Sequence, residues 1–355
     1  MKERNYGIDF LRILSMFMVV TLHVLGQGGI LKNAVGINYW VAWLMEITCF
    51  CAVNCFAIIS GYVMCGSSVK YSRLIELWFQ TVFYSVSITA IYFILRPDAI
   101  TLKTTLRAIF PVSHKHYWYI SAYFGLYLLI PLVNAAIKNI RRKTLEFFLI
   151  ATFIIMIILP TALGGDPYIL NGGYSVIWLL LLYILGAYIK MYDITSLVKR
   201  RTALITFVGC VFVTIFSKFI LEKIGGSINK LITPSFLINY TSPTIILTGI
   251  SLFIFFAKTK FPTKINKLIS VLAPASLGVY IIHNCAPIWS YFIKDFSKGF
   301  VKYNFLVLPI LVIASALAIY IICSIIDLAR IYIFKKLKVY DFCVKLETKL
   351  TKKFN

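Results

Sequence analysis

Acidic residues are scarce in this chain, at 13 Asp and Glu in 355 residues, and charged residues of both signs make up only 14%. Soluble domains run at about 25% charged, so an ordinary soluble protein is excluded. No long polar stretch is left over that could form a separate soluble domain. A cleavable signal peptide is also missing: the first apolar run holds an Arg at its start and lacks an Ala-x-Ala exit, so a retained signal anchor is expected. Ser60 has no Gly-x-Ser-x-Gly elbow around it, which gives a serine acyl-enzyme little support. The pattern Cys49-x-Cys51-x3-Cys55 lacks a second ligand pair, so no metal site is expected. Those thiols and Cys65, Cys210, Cys285 and Cys323 lie in apolar runs and read as buried and inert.

Hydrophobic residues are abundant, at 60%, and the mean hydropathy is +0.86. This composition makes the chain an integral membrane protein. Its fold class is all-α and polytopic, with about ten transmembrane helices of roughly 20 residues each. The expected spans are 7–26, 38–64, 74–95, 117–134, 144–163, 173–190, 202–221, 234–256, 268–291 and 303–330. Helices are preferred to a barrel because the runs are continuously apolar and lipid demands that each segment satisfy its own backbone. Residues 1–334 read as one membrane domain and 335–355 as a basic cytoplasmic tail, either an amphipathic helix on the inner leaflet or solvated chain.

The formal charge of +23 would also suit a nucleic-acid binder. Its distribution excludes one, because basic residues favour alternate loops: about 23 fall on the amino-terminal side of the membrane against about 10 opposite. Both termini are therefore expected in the cytoplasm, with anionic membrane lipids as partners.

The stretch "GIDFLRILSMFMVVTLHV" (7–24) carries Asp9, Arg12 and His23 inside a span, where ionisable residues are costly and by default functional. Arg12 and His23 are eleven residues apart, so a helix puts them on one face, about 16–17 Å apart along the axis. Asp9, one turn before Arg12, is placed to orient it. The blander reading has Arg12 snorkelling to headgroups and His23 in a structural hydrogen bond. Glu46 is expected at the depth of His23, where a carboxylate can hold the imidazole tautomer; a structural role is the alternative. Asn54 and Ser60 are polar interior candidates, though Ser60-Gly61 favours close helix packing. The longest connection, 96–116, ends in "PVSHKHYWY". There His114, Lys115 and His116 join Trp118 and Tyr119 as either an interfacial aromatic belt or a sugar platform. His283 faces Tyr280 at i, i+3, as a structural bond or a site contact.

Arg12-x10-His23, "CFAIISGYVM" (55–64), Arg73, "HYWYISAYFGLYLLIPLVN" (116–134), "LLLLYILGAYI" (179–189) and "LGVYIIH" (277–283) occur in the order found in the acyltransferase 3 family, which the chain resembles over nearly its whole length. The resemblance implies a ten-helix bacterial plasma-membrane enzyme. It would move an acyl group, usually acetyl, from cytoplasmic acyl-CoA to a hydroxyl of an extracytoplasmic glycan or glycolipid. The family's Arg and His pair carries onto Arg12 and His23, its Ser-Gly motif onto Ser60 and Gly61, its basic residue onto Arg73, its Trp motif onto Trp118, and its late Tyr and His onto Tyr280 and His283. Unlike many members, this chain has no added hydrolase-like domain.

Elementary chemistry agrees. Acyl transfer to an alcohol needs a base and an oxyanion donor, and His23 fits the base. Arg12 and Arg73, with Ser60, are expected at acetyl-CoA as co-substrate, the guanidinium groups pairing its phosphates. His116, Trp118, Tyr119, Tyr280 and His283 are expected at the acceptor. The competing class is a secondary transporter or flippase for an envelope saccharide, but no internal repeat supports it. A sensor or scaffold would not need Arg12 and His23 on one stripe.

Overall fold

The computed structural model describes residues 4–114, 116–225 and 232–352; Lys115 lies outside them. Among the described residues every regular element is helical. The main helices are α1 (Tyr6–Leu25), α2 (Gly36–Cys49), α3 (Ala52–Met64), α4 (Tyr71–Leu95), α5 (Trp118–Asn139), α6 (Arg142–Thr152), α7 (Val176–Met191), α8 (Arg200–Ile224), α9 (Pro243–Ala257), α10 (Thr263–Leu272), α11 (Ser276–His283), α12 (Val307–Lys336) and α13 (Val339–Thr351).

Among the described residues eight helical segments are long and apolar enough to cross a membrane: Tyr6–Asn33, Gly36–Met64, Tyr71–Leu95, Trp118–Asn139, Arg142–Leu163, Arg200–Ile224, Thr263–His283 and Val307–Lys336. Two of the expected spans, 173–190 and 234–256, hold the shorter apolar helices α7 and α9. At 16 residues, α7 rises about 24 Å, less than the roughly 30 Å hydrocarbon core. It is packed against protein on two sides, α3 and α5, and its start is set by Ser175, whose hydroxyl accepts from the Trp178 N–H at 3.1 Å.

Small residues set the closest helix approach. A Cβ added to Gly61 would fall 1.9 Å from the Tyr183 carbonyl oxygen, and one added to Gly186 would fall 2.1 Å from that of Ile58. Ser60-Gly61 therefore serves helix packing between α3 and α7, and the Ser60 hydroxyl donates to the Phe56 carbonyl of its own helix at 2.9 Å.

The opening helix is the hub. Asn5 caps α1, its side chain accepting from the Ile8 N–H at 3.1 Å, and α1 packs against α2, α3, α9, α10, α11 and α12. Of its most apolar stretch 67% is buried within the protein, the largest share among the eight segments. The helix bearing Arg12 and His23 is thus central rather than lipid-facing. Two expected spans are interrupted. A turn at Phe50 and Cys51 separates α2 from α3, and a 3-10 turn at Ala273–Ala275 around Pro274 separates α10 from α11. Broken backbone at such depth needs protein around it, and α11 is enclosed by α1, α4 and α12.

The tail is helical from Val339, and α13 packs on α4. The Glu347 carboxylate accepts from the N–H groups of Tyr71 and Ser72 at 2.7 and 3.1 Å, filling the anion-favouring amino terminus of α4. Residues 353–355 of the tail lie outside the described residues.

Candidate active site

His23, near the end of α1, contacts a residue 260 positions away: its Nδ1 lies 2.8 Å from Nε2 of His283. His283 Nδ1 is in turn 2.5 Å from the Val279 carbonyl oxygen. A carbonyl only accepts, so His283 Nδ1 carries the hydrogen and neutral His283 presents a lone pair at Nε2. His23 must then donate from Nδ1, which leaves its own Nε2 unprotonated. The Trp289 ring stands edge-on to His23, with centroids 5.0 Å apart and planes at 84°, and limits rotation of the imidazole.

This arrangement corrects the role expected of Glu46. The group that holds the His23 tautomer is His283, because the turn after Leu272 brings α11 against α1, whereas Glu46 is only near. Its Oε2 is buried and has no hydrogen-bond partner among the described residues, and Tyr280 is buried as well. Both residues line a cavity of about 130 Å³ together with His23, Trp118, Tyr119 and Tyr240. Trp118 and Tyr240 are stacked at 6.3 Å. Asn54 is structural here: its amide donates to the Tyr240 carbonyl at 2.8 Å and accepts from the Trp178 indole at 3.1 Å.

A second cavity, of about 640 Å³, is lined by Arg73, Glu76, Tyr123, Arg330 and Lys335. Arg330 is 7% exposed and Asp327 not at all. The Asp327 carboxylate accepts from Arg330 Nε at 3.0 Å and Nη2 at 2.9 Å, and from the Tyr84 hydroxyl at 2.9 Å. A buried charge persists only when paired and hydrogen-bonded in this way, and the network fixes the guanidinium at the cavity wall. Arg330 stands at i, i+3 from Asp327 on α12, and that spacing is the signal for it in the sequence.

Arg12 is bonded to Asp9 at 2.6 Å, as the i, i+3 spacing predicts, and Asp9 also takes Arg4 at 2.6 Å. Arg12 lines neither cavity. Of the other expected acceptor residues, His116 does not line the cavity at His23. Its Nε2 accepts from the Ala286 N–H at 3.1 Å, its ring stacks on Tyr117 at 4.4 Å, and burial lowers its pKa from the ordinary value. His114 is exposed.

Residues 5–327 match the family model described as an acyltransferase domain. No curated protein and no solved structure matches the chain.

Proposed function

The chain belongs to the acyltransferase 3 family, and on that premise we propose that it is a membrane-bound O-acyltransferase. It moves an acyl group, acetyl by preference, from cytoplasmic acyl-CoA to a hydroxyl of an extracytoplasmic polysaccharide or lipid-linked saccharide. The setting is a bacterial plasma membrane, with the basic end of the bundle and both termini in the cytoplasm, as the positive-inside bias favours. The observation that carries the reading is the run from His23 through His283 to the Val279 carbonyl, at 2.8 and 2.5 Å. It leaves one imidazole nitrogen unprotonated on a ring that lines a buried cavity.

The acceptor hydroxyl gives its proton to Nε2 of His23 as its oxygen attacks the thioester carbonyl carbon. The Tyr280 hydroxyl, on a ring that lines this cavity, donates to the oxyanion that forms. Collapse restores the carbonyl and breaks the C–S bond, and the departing CoA thiolate takes the proton from His23. Glu46, in the same cavity, opposes the positive charge that His23 carries in between. Trp118, Tyr119 and Tyr240 offer apolar ring faces to a pyranose.

At the other end Arg73, Arg330 and Lys335 supply the cations that CoA phosphates require. The unbroken α1 puts Arg12 and His23 about 16–17 Å apart, a distance that the pantetheine arm bridges. Family membership favours acyl transfer over the saccharide transporter.

The test is transfer of radiolabelled acetyl from acetyl-CoA to envelope glycan in membranes with and without this protein. His23→Ala is expected to lose at least about 10²-fold in transfer, the lower range for general-base catalysis. Saccharide transport without acetylation, or full acetylation by His23→Ala, overturns the reading.

A further inference from the structure

The cavity at His23 and the cavity at Arg73 do not merge into one channel. Among the described residues Leu277 alone lines both. Around it the tyrosines of α5 continue from one chamber to the next: Tyr119 faces the first, Tyr123 the second, and their rings stack at 6.1 Å and 19°. A thioester whose nucleotide stays in the larger chamber meets the Leu277 side chain before it reaches His23.

The backbone at this point is immobilised. A Cβ on Gly278 would fall 2.1 Å from the Asp327 carboxyl carbon, so α11 is pressed on α12 at the residue after Leu277. Asp327 is itself fixed by Arg330 and Tyr84. What can move is the isobutyl group, which is half-buried and changes rotamer far faster than an enzyme turns over.

Resting on the acyl-CoA reading above, we propose that the Leu277 side chain is the barrier between donor and acceptor chambers and that its bulk sets the length of acyl chain that passes. An acetyl group needs one rotamer change to pass. A longer chain meets both the side chain and the small chamber of about 130 Å³ beyond it.

The experiment compares the purified full-length protein with Leu277→Ala and Leu277→Phe, using acetyl-CoA and butyryl-CoA turnover together with equilibrium binding of radiolabelled CoA. Leu277→Ala, which removes the isopropyl group, is expected to raise the butyryl-to-acetyl turnover ratio about tenfold, the scale on which apolar pockets discriminate chain length. Leu277→Phe is expected to lower acetyl turnover by about tenfold or more on the same scale, with CoA binding unchanged. Parental selectivity in Leu277→Ala, or parental turnover in Leu277→Phe, overturns the barrier while leaving the acyl-CoA reading intact. Loss of CoA binding in Leu277→Phe overturns it too, because it puts Leu277 in the nucleotide pocket. Absence of acyl-CoA turnover in the parent protein overturns the donor reading itself.

Discussion

The chemistry of this site turns on which of four imidazole nitrogens holds a hydrogen, and one backbone carbonyl decides it. Because Val279 accepts from His283, the lone pair that His283 turns to His23 is fixed, and with it the free nitrogen of His23. His283 is thus a positioning residue, and His283→Ala is expected to lower kcat about 10²-fold with the donor KM unchanged. His283→Gln can still present a side-chain oxygen to His23 and should recover part of the loss, whereas a purely packing role predicts no such recovery. Steady-state kinetics of the two variants decides between them. Arg12 and Asp9 were legible from spacing alone, since i, i+3 neighbours on a helix must lie close. The His23–His283 contact was not: sequence placed both near the site through motif order, but nothing in their spacing links residues 260 positions apart. Glu46 shows the converse, since depth in a span can be read from sequence while the direction of a carboxylate cannot.

At the scale of elements, the site depends on close helix contacts that apolar periodicity does not reveal. Gly61 allows α3 and α7 to touch backbone to backbone, and a methyl group there has no room. Gly61→Ala is expected to cost about 1–3 kcal/mol as an overpacked core substitution does, read as a lower Tm in detergent. Ser60→Ala, which removes only a hydroxyl bonded within its own helix, should keep the parental Tm; an equal fall in both variants would contradict the packing account. Long apolar runs foretold that helices exist here because lipid permits little else. They did not foretell the turn at Pro274 or the shortness of α7 and α9, since those depend on neighbouring helices that shield the ends. The tail was ambiguous for a similar reason: its pattern suits an amphipathic helix on a membrane surface or solvated chain, whereas the Glu347 contact with the start of α4 shows it docked on the protein.

For the whole molecule the central feature is polarity. Arg73, Arg330 and Lys335 gather in one chamber and His23, Glu46 and Tyr280 in the other, and the proposed function has donor and acceptor enter from opposite sides. Acetyl-CoA supplied to inverted membrane vesicles should be consumed, while intact right-side-out vesicles should spare it until they are permeabilised. Equal consumption by sealed vesicles of both orientations would contradict a one-sided donor chamber.

By itself the sequence determined the helical membrane class, the pair on one face of α1 and the family, because each rests on local composition, on spacing along one helix or on motif order. Only the tertiary structure decided that His283 rather than Glu46 orients His23, that Arg330 joins Arg73, and that Leu277 stands between two chambers. Those outcomes depend on which faces of distant helices meet, and packing and hydrogen bonding across the bundle fix that without leaving a periodic trace along the chain.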